Sequence, residues 1–228
     1  MPCFFNIQPE PCFLWRRIPC NTIGILLQPL KRLHQNDKTG QEMNTDFTPL
    51  IVSRALHLYS RALQYPYIEL TYEFQNILRE IEKNISNDFD NTVAALILDL
   101  INSFQGEEMG ALQGEFTRLF TPVEDDDPLI SLHLSSVNRQ AGSDELYELI
   151  SESPFFLDGD DQYDSLPLVL DYFSVIISED LDEAENFFEK YINPNVPRLN
   201  EIIYKGSNLS FYKEAARGLN ELVYLLAG

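Results

Sequence analysis

Histidines and cysteines are scarce in this chain, and their positions narrow the chemistry it could do. The three histidines are His34, His57 and His133, and no two stand in the i, i+4 relation that sets a metal pair on one helix face. All three cysteines, Cys3, Cys12 and Cys20, precede residue 21. Their spacing is not that of paired metal ligands, and His34 does not complete a zinc set. Nothing after Cys20 can form a disulfide, which suits a reducing compartment. Nucleophile elbows, Walker loops and GxGxxG turns are absent from the sequence. Carboxylates are abundant, but acid–base work needs two groups in environments that pull their pKa values apart. The reading is therefore of a non-catalytic protein without metal or cofactor. His57, between Leu56 and Leu58, is read as a surface or satisfied boundary histidine rather than as a general base.

Charge narrows the partners. The 228 residues carry a formal net charge of −20, unevenly spread. Residues 1–42 hold five Lys/Arg and three Asp/Glu, leaving eleven against thirty-three in residues 43–228, a charge of −22. Such a field repels phosphate backbones and anionic membrane surfaces and attracts basic segments, so nucleic acid is excluded as a partner. Two acidic runs, Glu124-Asp125-Asp126-Asp127-Pro128 and Asp158-Gly159-Asp160-Asp161, resemble ion-binding loops only superficially. The first lacks the alternation and central glycine of an EF-hand; in the second the glycine comes too early, and no bidentate glutamate follows at the required distance.

No apolar stretch reaches the roughly 18 to 20 residues that span a bilayer, so stable membrane insertion is not expected. Arg16-Arg17 followed by Ile23-Gly24-Ile25-Leu26-Leu27 has a superficial likeness to a twin-arginine export signal. Pro19 and Pro29 interrupt it, and no small-residue cleavage site follows. Five prolines and a polar run through Gln35–Gln41 make residues 1–42 a poorly ordered extension in this reading, with Met43 a candidate true start. Residues 43–228 are then a single domain.

Helical periodicity dominates that domain. Pro49 opens a helix with Val52, Leu56, Tyr59 and Leu63 on one face, stopped at Tyr65-Pro66. Leu70, Phe74, Ile77, Leu78, Ile81 and Ile85 form a second stripe. A third helix, capped by Asp90 or Asn91, carries Val93, Leu96, Ile97, Leu100, Ile101 and Phe104. In the fourth, Met109, Leu112, Phe116, Leu119 and Phe120 face one way, and Gly110 and Gly114 are read as close-packing positions. Ser143, Ser165 and Asp180 are expected to cap later helices, Pro197 and Ser210 to open the last two, and Gly206 to end the one that Pro197 opens. No two-residue alternation and no long repeat occurs. The fold predicted is all-α, a single irregular bundle of about eight to ten helices.

Three segments, taken together, carry a family resemblance. They are Glu115-Phe116-Thr117-Arg118-Leu119-Phe120, then Asp164-Ser165-Leu166-Pro167-Leu168-Val169-Leu170-Asp171-Tyr172, then Tyr191-Ile192-Asn193-Pro194-Asn195-Val196-Pro197. With the Tyr65-Pro66 turn before them, and Pro128 through Ser131 standing loosely for a Pro-rich loop, they resemble the TorD/DmsD/NarJ family of molybdoenzyme maturation chaperones. Leu166-Pro167-Leu168 looks most like the nitrate-reductase assembly branch. The sequence departs from the pattern at Ser165, where the family has histidine, and at Asn195, where several relatives have an aromatic residue.

That resemblance implies an all-α cytoplasmic chaperone, monomeric or dimeric. Its partner would be the catalytic subunit of a molybdopterin-dependent oxidoreductase, recognised through an N-terminal twin-arginine or remnant peptide and held until cofactor insertion and assembly. A peptide with paired arginines and an apolar stretch calls for carboxylates beside an apolar groove. Glu115, Asp164 and Asp171 are the candidate charges. Leu119, Phe120, Pro128, Leu166 and Tyr172 are the candidate groove residues, each apolar helical one also a natural core position. A structural or adaptor subunit retained in a mature complex is the alternative.

Overall fold

Proline at the first helical position loses no hydrogen bond, because that N–H has no intrahelical acceptor, and Pro49 opens helix α1 on this principle. The computed structural model describes residues 43, 47–122, 127–153 and 163–228. Among these are nine α-helices and no strand: α1 Pro49–Ala62, α2 Leu70–Asn84, α3 Asp88–Gln105, α4 Met109–Phe120, α5 Asp144–Ser151, α6 Leu166–Glu179, α7 Leu181–Phe187, α8 Val196–Gly206 and α9 Ser210–Ala227. Short 3-10 turns at Leu134–Ser136 and Arg139–Gly142 precede α5, and a π turn at Phe188–Ile192 extends α7. The fold is an all-α bundle. Residues 1–42 and most of both acidic runs lie outside the described residues, so the N-terminal extension and the loops at 124–126 and 158–161 receive no structural account.

The apolar stripes account for the packing. Helix α1 lies along α6, and α9 lies between α8 and α3, so the two most apolar layers share one core. Val52, Leu56 and Tyr59 of α1 and Leu166, Leu170, Phe173 and Ile177 of α6 are all buried. Ser60 Oγ ties the pair by donating to Pro167 O in α6's first turn at 2.8 Å. Phe74, Phe104 and Phe211 bring α2, α3 and α9 together, with Phe104 edge-on to both other rings at 5.1 and 5.2 Å. Gly218 is where α9 and α1 approach most tightly. A Cβ there would come within 2.2 Å of the Tyr59 hydroxyl, which is buried without a hydrogen-bond partner.

Capping followed the sequence in part. Ser143 accepts from Leu146 N, and Asp180 from Glu183 N, as their positions suggest. The cap of α3 is Asn87, whose Oδ1 accepts from Asp90 N at 2.8 Å. Asp90 turns inward instead: its carboxylate accepts from Thr48 N, Thr48 Oγ1, Ser86 N and Ser86 Oγ, fixing the start of α1 against α3. Burial opposes its ionisation, and those four bonds outweigh it and hold the carboxyl below the usual range. Ser165 stands at the N-cap of α6 but makes no side-chain cap. The start of α9 is capped from a distance by Glu107, which accepts from Ser210 N and Oγ.

Gly110 and Gly114 differ from the expectation. Both are exposed, and a Cβ on either would meet no atom within 4 Å. Among the described residues, they pack against nothing. Close approach occurs at Gly206 instead, where a Cβ would sit 2.7 Å from Ile130 Cδ1.

Candidate functional site: buried carboxylates and an open aromatic face

The three candidate carboxylates are all buried and all engaged within the protein. Glu115, on the inner side of α4, pairs through both oxygens with Arg118, one turn later, at 2.7 and 2.8 Å. It also accepts from Asn208 N and Ser207 Oγ in the α8–α9 connection, while Arg118 Nη2 donates to Gly206 O. One ion pair thus clamps the end of α4 to the turn between α8 and α9. The Arg118 guanidinium, with Asn208 N and Ser207 Oγ, overcomes burial and lowers the Glu115 carboxyl to about 2.

Asp164 precedes α6 and organises the segment before α5. Its Oδ1 accepts from His133 Nδ1 at 2.6 Å, its Oδ2 from Ser135 N at 3.0 Å, and its backbone oxygen from Leu134 N. Leu166 N donates to Leu132 O, completing a short antiparallel bridge between His133 and Ser165. Burial works against the charge on Asp164, but the bonds from His133 and Ser135 prevail and depress its pKa. Asp171, seven residues on and also buried, accepts from His57 Nδ1 of α1 at 2.9 Å. His57 is half-exposed, as a boundary histidine with a satisfied ring nitrogen should be.

Each carboxylate is therefore buried and bonded to an arginine or histidine of its own fold. The candidate charges Glu115, Asp164 and Asp171 are thus all enclosed by the fold. The physical reason is that a buried carboxylate needs internal donors, and these have them. Leu119 and Leu166 are fully buried and belong to the core. Tyr172 is buried too; its hydroxyl donates to Glu183 Oε1 at 2.7 Å, and burial followed by that carboxylate pushes its pKa up. The position at which the resemblance expects histidine is Ser165, yet an imidazole reaches Asp164 all the same, from His133, 31 residues earlier. Asn195, in place of an aromatic, is buried as a polar link: it accepts from Asn138 Nδ2 and donates to Tyr191 O.

Phe120 and Pro128 are the candidates that reach the surface, both half-exposed. Phe120 belongs to a line of rings. Tyr65, from the turn after α1, sits edge-on to Phe116 at 5.5 Å, Phe116 to Phe120 at 5.1 Å, and Phe120 to Tyr212 at 5.8 Å. Tyr212 is buried and donates to Leu112 O, so the line runs from solvent into the core. Gln113 Nε2 holds the turn in place by donating to Pro66 O at 3.0 Å. Two segments 50 residues apart in sequence, the Tyr-Pro turn and the acid–aromatic element, thus form one face.

No protein-family model and no curated protein sequence matches the chain. Its functional reading rests on the residues themselves. Among the described residues no three His, Cys, Asp or Glu side chains converge as metal ligands, and no helix is long and apolar enough to cross a membrane.

The sequence candidates leave out Tyr65 and Phe116, which stand in the motif segments, and the exposed Ile68 and Tyr72, which do not. The latter left a readable signal. Tyr72 is out of phase with the Leu70, Phe74, Ile77 and Ile81 stripe, so a helix that buries the stripe exposes it, and Ile68 lies in the turn before α2.

Proposed function

We propose that this protein is a cytoplasmic, non-catalytic maturation chaperone that binds the N-terminal peptide of a molybdopterin-dependent oxidoreductase subunit and holds it during cofactor insertion and assembly. The observation that carries this reading is the half-exposed ring line Tyr65, Phe116 and Phe120, on a domain whose sequence carries a charge of −22. An apolar face within an acidic field suits a segment that combines arginines with an apolar stretch. The three motif segments support the reading by their resemblance to the chaperone family. The buried ion pairs support a scaffold role for the motif carboxylates, which leaves recognition of a basic segment to exposed acids and the aromatic face.

The test is purification of the tagged full chain from its native host during respiratory growth, with mass spectrometry and molybdenum assay of what co-elutes. A molybdoenzyme catalytic subunit lacking cofactor or partner subunits is the expected result. Recovery of a mature, cofactor-loaded complex alone would instead make the protein a retained structural or adaptor subunit.

A further inference from the structure

Acidic residues are common throughout the domain except in two stretches that meet. Residues 43–228 hold thirty-three Asp and Glu, yet residues 128–143 and 190–200 contain none. The two stretches are joined along α8. Asn195, Arg198, Ile202 and Gly206 recur at steps of three, four and four, which sets them in one row on that helix and its cap. The row touches the first stretch at both ends: Asn138 Nδ2 donates to Asn195 Oδ1 at 3.0 Å, and a Cβ on Gly206 would stand 2.7 Å from Ile130 Cδ1. Residues 130–138 therefore run beside α8, and the middle of the row, Arg198 and Ile202, stays exposed next to them.

The open side chains of this surface are of two kinds. Leu129 and Ile202 keep 62% and 44% of their surface exposed, toward the Gly206 end. Arg139 and Arg198 are exposed toward the Asn195 end, and neither pairs with a carboxylate among the described residues. The neighbouring acids are committed or peripheral: Glu201 is bonded to Lys205, Glu145 to Lys190 and the buried Asp164 to His133 and Ser135, while Asp127 borders Leu129. At physiological ionic strength, charges more than about 8 Å away are largely screened, so an approaching chain meets this local surface rather than the net −20. A second copy docked by the same patch would set arginine against arginine. A segment with carboxylates beside an apolar stretch matches both ends at once, its acids reaching the arginines and its apolar side chains covering Leu129 and Ile202.

We propose that α8 and residues 129–139 form a docking surface for an acidic amphipathic segment of a partner protein, with Arg139 and Arg198 taking its carboxylates and Leu129 and Ile202 its apolar side chains. The surface shares no residue with the ring line of Tyr65, Phe116 and Phe120, so it stands or falls independently of the peptide-binding reading above.

Fluorescence anisotropy with the full chain at physiological salt is the experiment. The probe is a labelled synthetic peptide of roughly eighteen residues, about five helical turns, with leucines on one face and glutamates flanking them. A control peptide carries glutamine for every glutamate. Wild-type protein should bind the probe, with an affinity that falls as salt rises, and should bind the control at least about tenfold more weakly. Arg139→Glu with Arg198→Glu should lower probe affinity at least about tenfold at an unchanged melting temperature, and Leu129→Ser with Ile202→Ser by a similar factor. Arg79→Glu with Lys83→Glu makes the same change in net charge on the exposed face of α2 and should leave binding intact. No binding of the probe by wild type, or equal binding of both peptides, would overturn the occupant. Equal losses in the two charge-reversed variants would overturn the location, since net charge alone would then account for binding. A wild-type dimer in sedimentation that Leu129→Ser with Ile202→Ser dissolves would overturn the proposal in favour of a second copy.

Discussion

Two regions of this molecule use the same residue types for opposite ends. Around α6, the motif carboxylates Asp164 and Asp171 turn inward to His133 and His57 and lock α6 to α1 and to the segment before α5. Around α4, a similar buried carboxylate, Glu115, is spent on Arg118 and the α8–α9 turn, but the aromatic residues beside it stay half-open. The difference shows that burial, not residue type, decides which motif position can meet a partner. A charge enclosed by its own donors cannot also bind another chain without losing them, whereas a ring half in the core keeps a face for contact.

The sharpest way to break this contrast is to shorten a core side chain on each side of it. Leu166→Ala, in the closed region, should cost about 3 kcal/mol and Phe120→Ala about half as much, because a half-exposed ring already forfeits part of its burial. Denaturant unfolding followed by circular dichroism measures both. Equal losses would mean that the α4 face is as closed as the α6 layer.

Next in size is the contact between α9 and α1. Gly218→Ala should destabilise by about 2 kcal/mol through overpacking against the Tyr59 hydroxyl. Tyr59→Phe alone should be neutral or slightly stabilising, since it removes a buried hydroxyl without a partner. The double variant should recover much of the loss, and thermal melts of the four proteins test the cycle.

Acid should loosen both regions by one mechanism. Glu115, Asp164 and Asp90 have folded-state pKa values below their unfolded values. Between those values the unfolded chain binds more protons, so stability is fully present above the unfolded carboxylate range near pH 4 and falls as pH drops toward about 2. Glu115→Gln should remove its share of that dependence and cost about 2 kcal/mol at neutral pH. A melting temperature with the same acid slope in wild type and variant would sink the assignment.

The smallest effect has the opposite sign. Gly114→Ala places a methyl in open space on an exposed helix and should stabilise by about 0.5–1 kcal/mol. Thermal melting of the variant beside wild type measures it, and an unchanged or lower melting temperature would mean that this face of α4 is covered.

Helix number and most helix positions were legible in the sequence because periodic burial of Leu, Ile and Phe is a local property: the stripes of α1, α3 and α6 could be read residue by residue. Caps were legible where one serine or aspartate preceded a stripe, as at Ser143 and Asp180. They were not where the partner came from afar, as Glu107 does for α9 and Asp90 for α1. The candidate site was legible as motifs but not as geometry. Nothing local announces that His133 will meet Asp164, or that Tyr65 will meet Phe116 across 50 residues.

By itself, then, the amino-acid sequence determined the all-helical fold, the acidic charge, the scarcity of histidine and cysteine and the segments that resemble a chaperone family. Tertiary structure alone decided which of those segments' side chains are enclosed and which are open. Period and composition follow from each residue's own chemistry and near neighbours, whereas the exposure of a carboxylate or a ring depends on which distant helix packs over it.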